Sequence, residues 1–201
     1  MDINATLVKE LREKTGVGMM DCKKALQESG GDLDLAIEYL RKKGIATAKK
    51  RGGRATSEGQ VAAYIHPGAK IGVLVEVNCE TDFSGKTEDF SAFVKNIAMQ
   101  IAAANPLSVD REGIPASVLE KEREIYATHA KESGKPDKVI EKIVEGKISK
   151  FYSEACLLEQ PYVKNPDITI QDLLNELMAK TGENIVIRRF ARYQLGEADE
   201  R

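Results

Sequence analysis

Apolar positions recur every three or four residues through the first fifty positions, and glycines interrupt the recurrence. Leu7, Val8 and Leu11 share one face of a helix over residues 5–14, which Thr15-Gly16-Val17-Gly18 breaks. A second helix over residues 20–28 stops at Gly30-Gly31. Asp32 then caps a third, where Leu33, Ala36, Ile37 and Leu40 follow the i, i+3, i+4, i+7 pattern and Gly44 is the expected stop. The basic, glycine-rich run 49–59 has no apolar period and reads as a linker. A basic run also suits RNA, but no aromatic interleaves here to stack on bases.

Beyond residue 60 the period changes to two. Residues 61–66 and 71–78 read as strands joined at Pro67-Gly68-Ala69-Lys70, a hairpin. Helical spacing then returns. Phe90, Phe93, Val94, Ile97, Ile101 and Ala102 form one stripe of a helix over residues 88–104, which Pro106 ends. Ser117 and Glu120 make a capping box for a helix over residues 116–133, broken by Gly134, and another helix runs to residue 155. Residues 157–167 hold two prolines and read as an extended loop. Thr169 and Asp172 cap a shorter helix with Ile170, Leu174 and Leu177 inward; a strand over 185–195 and an acidic tail follow. The pattern predicts an α+β chain: an N-terminal three-helix domain (1–50), a linker (51–59), and a core (60–201) of a small antiparallel sheet with several helices.

The first of these strands to carry candidate chemistry is the second one. Ile71-Gly-Val-Leu-Val-Glu-Val is apolar and β-branched, and it breaks into a polar tip with Glu80, Asp82 and an aromatic, Phe83. Two readings of the tip stand side by side. An aromatic at a loop tip suits a partner's pocket, since burying a Phe is worth about 1.5–3 kcal/mol. An acidic tip also suits a metal, with His66 across the hairpin as a further ligand, which would make the chain a metal-dependent hydrolase.

Charge narrows the partners. The net charge of −2 argues against nucleic acid, which calls for a basic excess. No stretch approaches the ~20 apolar residues of a membrane-spanning helix. The first six residues show no basic region leading into an apolar one, so no signal or transit peptide is expected. Cys22, Cys79 and Cys156 are odd in number, far apart and without a CxxC pair, which points to a reducing cytosolic compartment. With His66 and His129 the only histidines, a zinc site or Cys/His pair has little material, and no cofactor is expected.

Two long motifs carry a family resemblance. Residues 11–26, LREKTGVGMMDCKKAL, are similar to the N-terminal signature of bacterial elongation factor Ts, and residues 76–83, EVNCETDF, resemble its second signature. Residues 146–151, GKISKF, followed by 159–162, EQPY, are similar to the family's C-terminal core. The resemblance runs over nearly the whole chain in the family's order.

The resemblance implies a cytoplasmic guanine-nucleotide exchange factor of protein biosynthesis, which binds elongation factor Tu and promotes GDP release. It implies no bond chemistry by the chain itself. By resemblance the tip Thr81-Asp82-Phe83-Ser84 dislocates magnesium from elongation factor Tu. The N-terminal unit resembles a ubiquitin-associated fold, with Arg12, Met19 and Met20 at the contact positions. From the residues alone, Met19 and Met20 suit either a small core or a surface contact, and Arg12 suits a solvated face. Family members usually follow the tip with Val-Ala; here Ser84-Gly85 stand instead, with less apolar bulk and more backbone freedom beneath Phe83. The chain resembles the short form, in which a second copy stands in for a missing core half. A homodimer through strands near Val61, Ile71 and Ile185 is therefore expected. The alternative to exchange is a ubiquitin-associated-like adaptor for a different protein partner.

Overall fold

The first helix, α1 (Ala5–Thr15), is closed by caps at both ends. Asn4 Oδ1 accepts from the Thr6 N–H at 2.9 Å. Gly16 takes a left-handed φ of 68°, and its N–H returns to the Arg12 carbonyl at 2.7 Å. α2 (Met19–Glu28) and α3 (Leu33–Arg51) follow, and Asp32 Oδ1 caps α3 by accepting from the Leu35 N–H at 2.9 Å. These positions come from a computed structural model that describes residues 3–132 and 136–197. Val8, Leu11, Cys22, Leu26, Ala36 and Leu40 form the buried centre of the three helices. The i, i+3, i+4 spacing therefore does in packing what it promises in the sequence.

Gly44 does not stop α3, which continues to Arg51. The glycine is a place of close approach: a Cβ built there would lie 3.2 Å from the Ala179 Cβ. The basic run 49–51 is consequently the last helical turn rather than linker, and the irregular stretch shortens to residues 52–57. Arg51 donates through a guanidinium N–H to the Met178 carbonyl at 3.0 Å, near the end of a later helix, on an oxygen that also accepts from the Gly182 N–H at 3.1 Å.

The remaining elements are β1 (Glu58–Ile65), β2 (Ile71–Cys79), α4 (Asp82–Gly85), α5 (Glu88–Ala104), α6 (Ala116–Glu132), α7 (Asp137–Ala155), β3 (Pro161–Tyr162), β4 (Asn165–Thr169), α8 (Ile170–Thr181) and β5 (Ile185–Gln194). The fold is α+β, with a small antiparallel sheet in the order β1-β2-β5. Ser117 lies inside α6 rather than at its cap, because Pro115 occupies the position before the helix and its carbonyl accepts from Val118 and Leu119. The expected end of α6 at Ser133-Gly134 and the tail 198–201 lie outside the described residues.

The chain divides into two packed units. One comprises Met1–Gln60, Val77–Phe93 and Asp172–Val186; the other comprises Val61–Glu76, Val94–Gln171 and Ile187–Arg201. In the first, α8 lies against the N-terminal helices, with Arg41 paired to Asp172 at 3.3 Å and Gly44 facing Ala179. In the second, Val73 and Val75 on β2 are buried together with Val94, Ile97 and Ile101 on α5.

The stretch 157–167 is not an extended loop. It forms a 3-10 turn (Leu157–Glu159) and then the antiparallel pair β3 and β4, with Pro161 opposite Thr169. Gln100, wholly buried on α5, organises it. Its amide nitrogen donates to Gln160 Oε1 at 3.1 Å and to the Pro161 carbonyl at 3.2 Å, while its oxygen accepts from the Val163 N–H at 2.9 Å. A buried amide with all of these partners is satisfied, and the segment it binds is ordered.

Candidate functional site: the tip after β2

β2 is the central strand, and its inward residues Val73, Val75, Val77 and Cys79 are buried while Leu74 on the other face is exposed. The chain leaves it at Cys79 and turns at once into α4, a single helical turn rather than an open loop. Thr81 supplies the cap: its backbone is extended, and its Oγ1 accepts from the Ser84 N–H at 3.3 Å. Thr87 Oγ1 then donates to the Ser84 carbonyl at 2.8 Å and accepts from the Phe90 N–H at 3.2 Å, passing the chain into α5.

One turn of helix gives adjacent residues opposite fates. Phe83 is 79% exposed, while Ser84 and Gly85 are buried beneath it. A Phe left in water forgoes about 1.5–3 kcal/mol that burial would supply. Asp82 is exposed beside it, 2.6 Å from the Lys86 ammonium. That lysine holds the Asp82 carboxyl below the usual carboxylate range, and the carboxylate in turn raises Lys86. Both groups are solvated, so the pair orients charge at the tip and adds little stability.

Ser84, expected as part of the presented tip, faces inward at 3% exposure. Its hydroxyl is buried without a hydrogen-bond partner among the described residues. The Ser84-Gly85 departure therefore lies under the tip and not on its outer face. A Cβ at Gly85 would lie 3.4 Å from Cys79 Sγ and 3.5 Å from Gly59 Cα, ordinary contact distances. Replacing Ser84 by Ala removes an unsatisfied buried hydroxyl, which costs about 1 kcal/mol or more. Ser84→Ala accordingly raises the melting temperature by roughly 2–4 °C; a lower melting temperature in a thermal scan would contradict this.

The other expected contact positions are also on the surface. Met19 and Met20 begin α2 at 44% and 78% exposure, and Arg12 is exposed on α1. The core of the three helices is filled without them, by Cys22 and Leu26 from the same helix. They lie in the same packed unit as the tip.

A family model described as Elongation factor TS matches residues 44–197. Curated relatives named Elongation factor Ts align over almost the full length. The protein of Syntrophobacter fumaroxidans is 63% identical over 98% of this chain and 98% of its own. That of Geotalea daltonii is 62% identical over 100% of this chain and 93% of its own, and that of Desulfosudis oleivorans 61% over 97% and 98%. The chain belongs to the elongation factor Ts family. Membership carries a role in translation elongation.

The acidic side chains of the tip have partners of their own: Asp82 pairs with Lys86, and Glu80 reaches the turn after α8. Glu80 Oε1 accepts from the Asn184 N–H at 2.6 Å, and Arg54 lies 3.4 Å away. The Asn184 N–H, and then Arg54, hold the Glu80 carboxyl below its ordinary range. This contact persists at neutral pH and is lost as pH falls through that lowered value. His66 Nδ1 sits 3.1 Å from the Tyr64 hydroxyl. Among the described residues no three His, Cys, Asp or Glu side chains converge as a metal site. Cys22, Cys79 and Cys156 are buried free thiols, each raised in pKa by that burial. Among the described residues no helix is long and apolar enough to cross a membrane.

Sequence reasoning passed over the residues that hold the tip. They are Glu183 and Asn184, in the turn between α8 and β5. The one available signal is their place after Gly182, whose φ of 79° ends α8 and turns the chain.

Proposed function

We propose that this protein is a guanine-nucleotide exchange factor for elongation factor Tu, acting in the bacterial cytoplasm and catalysing no bond chemistry of its own. The observation that carries the reading is Phe83, a large ring at 79% exposure on a turn capped and fixed at its root. A ring exposed at that cost suits a pocket on another molecule. Nucleotide in a translational GTPase is held by backbone contacts to phosphate and by magnesium bridging phosphate oxygens. Magnesium tolerates little departure from octahedral geometry. Insertion of Phe83 beside that site shifts the loops that hold the metal, while Asp82 brings negative charge towards the phosphates. Arg12, Met19 and Met20 supply the docking contact, with Met offering an adaptable apolar surface. The adaptor alternative would use the same helices but leaves Phe83 and the fixed turn beneath it without a task.

Linkage sets the test. If the protein weakens GDP binding by some factor, GDP weakens binding of the protein by the same factor. Calorimetry should therefore find tighter binding to nucleotide-free elongation factor Tu than to its GDP form. Equal affinity for the two forms would reject exchange by displacement.

A second copy of the chain completes the picture. Val61, Ile65 and Leu74 are 72%, 63% and 49% exposed on the outer face of β1 and β2, and β1 is an edge strand. Exposed apolar edges of this kind are normally covered or paired. Ile185 takes no part in such an interface, because it is buried at 2% exposure, and Ile71 is half-buried. Light scattering should give about twice the 22.1 kDa chain mass; the mass of one chain at micromolar concentration would reject the dimer.

A further inference from the structure

We infer that Glu183 is a positioning residue for exchange, orienting the Phe83 turn through the Thr81 hydroxyl and two backbone amides; this rests on the exchange reading above. A helix of four residues has too few internal hydrogen bonds to hold its own direction. Its direction must come from what it is tied to. Glu183 Oε2 accepts from the Glu80 N–H at 3.2 Å and from the Thr81 N–H at 3.1 Å. Its other oxygen accepts the Thr81 hydroxyl proton at 2.6 Å. Charge-assisted bonds of this length are the stronger kind.

The hydroxyl contact has a directional consequence. Thr81 Oγ1 has one proton, and it is committed to Glu183. A lone pair is left for the Ser84 N–H, the bond that caps α4. The carboxylate thus fixes which way the cap faces, and the cap fixes where Phe83 emerges two residues later. The arrangement is reciprocal. Glu80 returns its own carboxylate to the Asn184 N–H at 2.6 Å, and the Asn184 side-chain amide donates to the Arg54 carbonyl at 2.8 Å. Two adjacent residues on each segment therefore exchange carboxylates for amides. All of these residues belong to one packed unit, which also contains α8 from Asp172 onward and the docking helices.

The test measures GDP release from elongation factor Tu against concentration of the full-length protein, giving a maximum rate and a half-saturating concentration. Glu183→Ala lowers the maximum rate roughly tenfold, the size expected for loss of a cap and its charge-assisted support. The half-saturating concentration stays put, because Arg12, Met19 and Met20 are untouched. Thr81→Val gives the same loss, Thr81→Ser, which keeps the hydroxyl, recovers part of the rate that Thr81→Val loses, and the double variant Glu183→Ala/Thr81→Val is no worse than either single change. Amide hydrogen exchange reads the tie without the partner: protection at Thr81 and Ser84 falls in Glu183→Ala while helix α5 keeps its protection. Glu183→Gln, which keeps the shape, serves if the alanine variant does not fold. A maximum rate within about twofold of wild type in both Glu183 variants, with protection lost at the tip, overturns the positioning role. Equal loss of protection throughout the chain marks a merely structural residue and also overturns it. If the wild-type protein itself leaves GDP release unchanged, the exchange reading falls and this role with it, whatever the amides show.

Discussion

Replacing Phe83 by Ala lowers the maximum rate of GDP release from elongation factor Tu by roughly thirty-fold. Truncating a buried aromatic anchor at an interface costs about 2 kcal/mol or more, and each 1.4 kcal/mol is a factor of ten. The variant keeps its fold, because a ring at 79% exposure contributes almost nothing to its own chain's core. Its melting temperature should match the wild type within about 1–2 °C. With the proposed docking contact of Arg12, Met19 and Met20 untouched, the variant should compete with wild type for the partner while failing to release nucleotide. An unchanged release rate in stopped-flow measurements would remove the tip from the mechanism.

A second large effect comes from a residue with no side chain. Gly59→Ala should lower the melting temperature by roughly 10 °C, from a cost of about 3 kcal/mol or more. Gly59 has a φ of 136°, where L side chains are strained, and a Cβ built there would stand 2.1 Å from the Val77 carbonyl oxygen. That oxygen belongs to the backbone of β2, so nothing flexible gives way. The next residue joins this strand to the base of the tip: Gln60 Nε2 donates to the Gly85 carbonyl at 2.7 Å and to Ser91 Oγ at 2.9 Å. Displacing β1 at Gly59 therefore loosens the support of α4 as well as the sheet. A thermal scan showing a loss under about 2 °C would mean that the strand shifts freely there.

The elements built on local pattern were legible in the sequence. The stripe from Phe90 to Ile101 predicts α5, and its apolar residues are buried. Asp32 stands where a cap is needed, and Phe83 could be singled out because an apolar strand ends just before it. What the sequence hid depended on distant contacts. Gly44 looks like a stop because glycine usually is one; the reason it stands mid-helix is Ala179, on another helix. Residues 157–167 look irregular because the amide that orders them, Gln100, comes from α5. The tip is the exception, for its cap is local: Thr81 and Ser84 stand three residues apart in a polar run with no apolar period to announce a helix. Its anchor was hidden by distance: Glu183 lies 102 residues beyond Thr81. No local period marks a carboxylate that works through another segment's backbone.

The departure at Ser84-Gly85 changed meaning on folding. In sequence it reads as loss of stiffness on the presented tip. In the structure both residues lie on the buried side of α4, so their chemistry acts on how firmly the turn is seated. Ser84 seats it with an unsatisfied hydroxyl, whereas Glu183 seats it with two carboxylate oxygens. The second is a charge-assisted contact and outweighs the first.

The most direct measurement is stopped-flow dissociation of fluorescent GDP from elongation factor Tu, chased with unlabelled GDP, at rising concentrations of this protein in the presence of magnesium. The account predicts a dissociation rate that climbs with concentration and saturates well above the intrinsic rate. A rate that stays at the intrinsic value at every concentration would contradict it.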